Sequence, residues 1–381
     1  MTQTASIFDI CIHGAGFVGP TLALLLARAG FKTALIDSHM SKATADIRAF
    51  SLNHTSKSLL ESLGAWPSDA HVTAVTSMAV FGDAGGVTHF AQSEEVDVDG
   101  ASSEPLNWIV DVPALAAKLQ DTIAGEPRVV CLTSDDSLEA KLHVLCEGNR
   151  PQRLTQLGIQ SHAVRYPQHA VAARLTCELP HGNTAHQWFN ERGEVLALLP
   201  MQSNEVALVW SLASEHAKAV HALPDDEFVA ALMTSAGNLL GHMTLCSHRA
   251  LWPLQLTRTV DWVSSADQIW VLAGDAAHTI HPLAGQGLNL GLGDAELLAQ
   301  KLKQFLVQSP IFNPSKSALV RELSSYARER QAAAAHMSNV TDGLHLLFAH
   351  QNPLVKRARN LGMKLFDRAA PIKRLAIKQA Q

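Results

Sequence analysis

The hydrophobic pattern opens with an apolar, β-compatible run from Phe8 to His13 and breaks at Gly14-Ala15-Gly16-Phe17-Val18-Gly19. It resumes from Pro20 to Ala29 with Leu22, Leu25, Leu26 and Ala29 at helical spacing. Gly30 ends this predicted helix, and Lys32 to Ile36 makes a second short strand that closes a βαβ unit at Asp37. Between Val164 and Trp252 the period changes to two. Strands are predicted at Ala170 to Glu178, Gln187 to Asn190, Val195 to Leu199 and Glu205 to Leu212, separated by Pro, Gly and Asn turns, and Val75 to Phe90 is expected to pair with the same sheet. Gln268 to Ala273 reads as a buried strand running into Gly274-Asp275. The glycine-rich stretch from His281 to Gly291 then passes into a helix through Asp294 to Lys303. Residues 317–350 read helical, with Arg321-Glu322 and Arg328-Glu329-Arg330 on a solvated face.

Composition narrows the class. A chain of 381 residues, 47% hydrophobic and 17% charged, can bury a large core and divide into two or three domains. A net charge of −5 argues against nucleic acid as a partner, because such binding relies on Lys and Arg neutralising phosphates. The charge is uneven: Leu354 to Gln381 holds eight Lys/Arg against Asp367 alone, so this tail is +7 and the remainder −12. Cys11, Cys131, Cys146, Cys177 and Cys246 are odd in number, widely spaced and free of any C-x-x-C, and read as reduced core thiols. The polar start and the lack of a long uninterrupted apolar run lead to the expectation of a cytoplasmic protein, with membrane contact at the surface alone.

The glycine turn has the spacing of a dinucleotide grip. Gly14 permits the tight turn, Gly16 lets the backbone approach a pyrophosphate, and Gly19 lets the helix pack close to the strand. Asp37, about 20 residues on, is placed to accept ribose hydroxyl hydrogen bonds and to disfavour a 2′-phosphate, which suits FAD or NAD. His13 reads as a satisfied histidine at a strand end. Downstream, Asp275 at the carboxyl end of a buried strand suits a polyol hydroxyl, and a helix starting near Gly285 to Leu288 aims free N–H groups at whatever lies in front. His278 and His281 lack the Cys or carboxylate partners of a metal site and read as histidines satisfied by backbone, so no metal is expected.

The run from Gly274 to Asn289 (Gly-Asp-Ala-Ala-His-Thr-Ile-His-Pro-Leu-Ala-Gly-Gln-Gly-Leu-Asn) resembles the flavin-ribityl motif of class A flavoprotein monooxygenases. More narrowly, it resembles the ubiquinone-biosynthesis aromatic hydroxylases of the UbiH, UbiF and VisC type. Asp46 to Leu52, Leu157-Gly158-Ile159, Gln168 to Val171, Pro180 to Ala185 and the segments Asn360-Leu361-Gly362 and Lys373-Arg374-Leu375 extend the resemblance over most of the chain. It implies an α/β fold: a Rossmann-like FAD-binding domain of the p-hydroxybenzoate hydroxylase kind, with an inserted antiparallel β-sheet substrate domain and C-terminal helices. The implied boundaries are 1–72, 105–160 and 250–305 for FAD binding, 73–104 and 161–249 for the substrate sheet, and 306–381 for the helical region. Gly14, Gly16 and Gly19, with Phe17 and Val18 between them, would contact the FAD pyrophosphate and Asp37 the adenosine ribose. Arg48 would lie by the flavin or pyrophosphate; on local sequence alone it also reads as an ordinary surface ion pair. Gly274 and Asp275 would bind the ribityl chain, and Pro282, Gly285, Gln286, Gly287, Leu288 and Asn289 would line the isoalloxazine.

The implied reaction is hydroxylation of an electron-rich aromatic ring, most naturally a polyprenyl phenol of ubiquinone biosynthesis. NAD(P)H would be the electron donor and O₂ the oxidant, through a C4a-hydroperoxyflavin. The cofactor carries the hard chemistry, so no general base is named. One departure stands out: the family's Asp-Gly motif is Glu147-Gly148 here, and the region before it, Thr122 to Ala140, is short. That leaves an FAD-binding accessory protein with little turnover as one alternative, and a hydroxylase of a soluble aromatic as another. Phe189, Leu196, Leu198, Trp188 and Trp210 are the aromatic and aliphatic residues expected as an apolar wall over the flavin. The basic tail has two readings, an amphipathic segment on an anionic membrane or quinone-biosynthesis complex, and a helix packed on its own domain.

Overall fold

The first strand, β1 (Ile7–His13), ends in the glycine turn, and α1 (Val18–Ala29) carries the chain back to β2 (Thr33–Ile36), which pairs with β1 in parallel. Gly30 stops α1 as the sequence predicts. At a φ of 109° it adopts the left-handed geometry that glycine accepts without strain, and its N–H bonds the Ala27 carbonyl at 3.0 Å. The computed structural model describes residues 7–37, 46–83, 85–91, 104–134, 138–148, 151–279, 286–308 and 311–349, with Lys356, Arg359, Asn360, Gly362 and Asp367.

The chain continues through β3 (Ala49–Leu52), α2 (His54–Ser62), β4 (Val72–Val75), β5 (Ser77–Phe81), β6 (Val87–Ala91) and β7 (Asn107–Asp111). Next come α3 (Val112–Ala124), β8 (Val129–Leu132), β9 (Glu139–Leu145), α4 (Pro151–Gln156) and the long β10 (Ser161–Cys177). The middle holds β11 (Thr184–Phe189), β12 (Val195–Pro200), β13 (Glu205–Ala213), α5 (Ser214–Ala222), α6 (Asp225–Ala236), β14 (Met243–Leu245) and β15 (Ala250–Thr259). The end returns through β16 (Val263–Ser264), β17 (Trp270–Leu272), α7 (Gly287–Gln308) and α8 (Lys316–Ala349). Three sheets result. A six-stranded sheet has the order β16-β17-β9-β1-β2-β8, an eight-stranded sheet runs β14-β10-β13-β12-β11-β5-β6 with β15 also on β10, and β3-β7-β4 form a small third sheet.

The main core lies between the six-stranded sheet and its helices. Ile10 and Ile12 of β1, Leu22 and Leu26 of α1, Leu298 and Leu302 of α7, and Leu319 and Leu323 of α8 are all buried there. Burying each such side chain contributes about 1.5–3 kcal/mol, which is why α8 belongs to this core rather than to a separate helical appendage.

The eight-stranded sheet has two unlike faces, and strand alternation decides which residue lies on which. Leu196, Leu198 and Trp210 pack with Phe228 and Leu232 under α5 and α6, and Trp188 packs against them. This corrects the expected wall over the flavin. Four of its five members point away from the six-stranded sheet, because the unforeseen helical pair 214–236 covers the outer face. Phe189 is on the inner face with Val80 and Val195. At the end of that inner face, Met78, Ala185, Leu199 and Ala207 pack on Ala49, Val75 and Ile109 of the small sheet. The expected boundary at 250 also shifts, since β15 pairs with β10 from Thr259 to Ala250 and so belongs to the large sheet. Two further expectations change: Cys131 and Cys246 are exposed, so only Cys11, Cys146 and Cys177 are core thiols.

The C-terminal segment is fastened to the edge of the large sheet. Arg359 and Asp83, both side chains 1% exposed, form a buried ion pair. Asn360 donates to Asp83 at 2.9 Å and accepts the Gly86 N–H at 3.0 Å, while Asp367 accepts the N–H of His89 on edge strand β6 at 2.8 Å. Removing one partner strands the other charge in the interior. Asp83→Ala is therefore expected to lower unfolding free energy by about 3–5 kcal/mol, read by denaturant titration, whereas a loss under ~1 kcal/mol would mean that the pair is solvated.

Candidate functional site

Three chain segments meet where β1 ends. Gly14, at a φ of 111°, has no room for a side chain, because a Cβ would stand 2.6 Å from the Cys146 carbonyl carbon and 2.7 Å from the Glu147 Cα. The Gly14 N–H bonds the Ile36 carbonyl at 2.9 Å, and the Cys146 N–H bonds the His13 carbonyl at 2.7 Å. A Cβ on Gly19 would overlap the Gly14 carbonyl, so α1 begins in direct backbone contact with the turn. Gly16 differs: a Cβ there would meet nothing within 4 Å. The tip of the turn is open and exposed, with the first N–H groups of α1 behind it, as a pyrophosphate grip requires. Asp37 follows β2, and its N–H is held by the Leu132 carbonyl at 2.9 Å.

The second grip packs on the first through Val18. Its side chain is the neighbour that a Cβ on Gly274 would meet at 3.0 Å and one on Gly291 at 2.6 Å. Gly274 itself has a φ of 62°. Phe17 is turned toward Phe50, its ring edge-on at 5.2 Å. Asp275 is open to solvent by surface area, yet burial raises its carboxyl pKa above the ordinary range. The charges of His278 and Arg48 oppose that rise, and Asp294 adds to it.

Asp294, fully buried on α7, organises this region and was not singled out by sequence reasoning. It accepts the Gly274 N–H at 2.8 Å, His278 Nε2 at 2.7 Å and Arg330 Nε of α8 at 2.6 Å. His278 is thus held by a carboxylate, not by backbone as expected. Arg330 also donates to the Leu290 carbonyl at 2.9 Å. One sequence signal was available, an acid set in the small, apolar run of α7.

At the start of α7 the side chain of Asn289 faces protein. It donates to the Ser51 carbonyl at 2.9 Å and to Gln286 Oε1 at 2.8 Å, and accepts the Asn53 N–H at 3.1 Å, stapling α7 to the β3–α2 junction. Gly287 has open space where a Cβ would be, and Leu288 packs partly on the core. The backbone of this first turn, more than its side chains, is what remains for a ligand. Pro282, Gly285 and His281 lie outside the described residues. Arg48 pairs with Asp46 at 2.5 Å, in agreement with the surface-pair reading, while its charge also reaches Asp275.

Behind the glycine turn, Cys11, His13 and His143 bring three donor atoms within 4.8 Å of one another. Arg153 donates to His13 Nδ1 at 3.1 Å, and His13 Nε2 lies 3.1 Å from His143 Nδ1. Trp270 packs on both imidazoles at 4.7 and 4.6 Å, and the Arg153 guanidinium lies over that indole at 5.4 Å. A metal ion would have to share this space with a guanidinium, so the cluster suits a hydrogen-bonded support for the turn. His13 is therefore satisfied, as expected.

A mostly parallel sheet with a glycine turn of dinucleotide-binding spacing, a second glycine–aspartate turn packed on it and a large, mostly antiparallel sheet beside them define an α/β protein of the dinucleotide-binding class. Residues 8–110 and 98–341 match the family model described as FAD binding domain, and the chain belongs to that family. The chain is 29% identical over 399 residues to ubiquinone hydroxylase UbiL of Rhodospirillum rubrum, covering 98% of this chain and 89% of that protein. It is 28% identical over 398 residues to 3-demethoxyubiquinol 3-hydroxylase of Escherichia coli, covering 98% of both. In fold it is similar to PqsL of Pseudomonas aeruginosa, described as a probable FAD-dependent monooxygenase (TM-score 0.74, 20% identity, 94% and 99% coverage). It is likewise similar to p-nitrophenol 4-monooxygenase PnpA of Pseudomonas putida (TM-score 0.75, 14% identity, 98% of both chains).

Two predictions follow from this geometry. Gly16→Ala should fold with a melting midpoint close to that of the parent yet lose FAD on gel filtration, whereas Gly19→Ala should lose stability itself; equal melting of the two would contradict the packing. Asp275 has a folded-state pKa raised above its unfolded 3.8, so it favours the folded state below that pH and disfavours it once ionised. Asp275→Asn should accordingly raise the apoprotein's melting midpoint at pH 7 and leave it nearly unchanged at pH 3, checked by scanning calorimetry at both values.

Proposed function

We propose that this chain is an FAD-dependent monooxygenase that hydroxylates an aromatic ring, its substrate being a prenylated phenol on the route to ubiquinone. The observation that carries the reading is the alignment with ubiquinone hydroxylase UbiL and 3-demethoxyubiquinol 3-hydroxylase, each over 98% of this chain, together with the FAD binding domain match.

In this reading the backbone of Gly14, Gly16 and Gly19, with Phe17 and Val18, holds the pyrophosphate, and Asp37 holds the adenosine ribose. Gly274 and Asp275 hold the ribityl chain. The N–H groups of Gln286, Gly287, Leu288 and Asn289 would hold the isoalloxazine, and the resemblance adds Pro282 and Gly285 to that set. A helix N-terminus there stabilises negative charge on the ring, worth about 0.3–1 kcal/mol at an exposed end and more where water is excluded. Bound FAD would supply the redox chemistry, taking electrons from NAD(P)H and activating O₂. The protein's share is orientation and dryness, the exclusion of water from the reacting centre.

The basic tail bears on how a lipophilic substrate is met. Among the described residues no helix is long and apolar enough to cross a membrane. Lys356 is engaged with Glu191 at 3.0 Å and Arg359 with Asp83, so these two cations are committed to the protein's own sheet edge rather than to an anionic membrane surface. The accessory-protein reading rests on Glu147. Its Cα keeps close contact with Gly14, so the longer side chain changes the carboxylate's reach while the backbone stays in place.

A strain lacking this protein should accumulate a quinone intermediate missing one ring hydroxyl, measured by mass spectrometry of extracted lipids. Normal quinone levels would overturn a non-redundant role. Purified protein that is yellow but consumes no NAD(P)H with any phenol would establish the accessory reading instead.

A further inference from the structure

The side chain of Arg48 is held by one residue and its backbone by another. Asp46 accepts from Arg48 Nε at 2.9 and 3.0 Å and from a terminal guanidinium nitrogen at 2.5 Å, and its Oδ1 also takes the Arg48 N–H at 3.0 Å. Arg174, projecting from β10 of the large sheet, donates to the Ile47 carbonyl at 2.9 Å, the Arg48 carbonyl at 3.3 Å and the Asp111 carboxylate at 2.5 Å. The Arg48 guanidinium lies near the Phe50 and Trp252 rings, at 5.7 and 5.8 Å from their centres. An arginine that is 46% exposed would otherwise keep most of its rotamer freedom, an entropy that an anion would have to overcome on binding. Two-point engagement of one edge of the fork also fixes the plane of the other edge, whose N–H donors are not used by Asp46.

We propose that Asp46 is a positioning residue for cofactor binding: by gripping one edge of Arg48, with the backbone clamped by Arg174, it aims the remaining edge at the anionic part of FAD. The inference rests on the FAD reading of the site and adds to it the residues that orient its cation. Simple electrostatics points the other way, since a carboxylate beside an anion site repels the anion and its removal should tighten binding. The sign of the effect therefore separates the two. Asp46 has its carboxyl pKa lowered although burial pushes it up, because the hydrogen bonds and charge of Arg48 outweigh that burial, so the grip is an ionised one at neutral pH.

The test is a double-mutant cycle on the full-length holoenzyme, with the FAD dissociation constant read from free-flavin fluorescence on dilution. Asp46→Asn should weaken FAD binding about tenfold, the scale of one lost charge-assisted contact. Arg48→Gln should weaken it at least as much, and the double variant should match Arg48→Gln alone. Apoprotein melting midpoints report folding, and Asp46→Ser replaces the amide variant if that one does not fold. Tighter or unchanged binding in Asp46→Asn would overturn the proposal, as would an undiminished Asp46→Asn effect in the Arg48→Gln background, which would make Asp46 a support of the fold instead. Parent protein that takes up no FAD at all would overturn the FAD reading, and this proposal with it.

Discussion

The structure depends on one close backbone approach. Gly14 touches the Cys146–Glu147 peptide on one side and the first residue pair of α1 on the other, and each contact excludes even a methyl group. Three strands of the six-stranded sheet, β2, β1 and β9, are thereby held with their carboxyl ends level, and the ends of such strands are where open α/β sheets bind ligands. Because the approach is between main chains, it tolerates little adjustment. The surrounding core sets the spacing and the glycines permit it.

The second half of the site is organised by a different kind of force. Asp294 puts a carboxylate in the fully buried interior, and the structure meets that cost with a backbone N–H and an imidazole from the Gly274–His278 turn and a guanidinium from α8. Breaking any one of these leaves charge unbalanced in a low-dielectric interior. The Gly274 turn, α7 and the long α8, consecutive segments of the chain, are consequently coupled. The small contact through Val18 then joins this charged cluster to the glycine turn, so the two grips share a common foundation.

Much of this was legible in the sequence because it is local. The strand–turn–helix of residues 7–29, the stop at Gly30, the strand before Gly274 and the helix after Gln286 each follow from the spacing of apolar residues and the placement of glycine. What escaped was set by partners distant in the chain. Which face of β11, β12 and β13 looks inward depends on α5 and α6 covering the other face, and alternation alone cannot say which side a helix will choose. Asn289 looked like a ligand-facing side chain because it sits in a glycine-rich loop, but its amide is spent on Ser51, Asn53 and Gln286. Arg174 and Arg330 carry no motif, and their roles exist only once sheets and helices from different parts of the chain have met.

The fastening of the C-terminal segment to Asp83 bears on how the protein is made. The two ends of that buried pair are 276 residues apart, and the strand it protects, β6, lies in the first quarter of the chain. At ribosomal rates of about 5–20 residues per second, that edge waits on the order of tens of seconds for its covering segment to emerge. During that interval the nascent chain presents an open strand edge to every neighbour on the polysome. Protection at that stage has to come from the strand itself, and β6 is short, five residues, with His89 exposed along it.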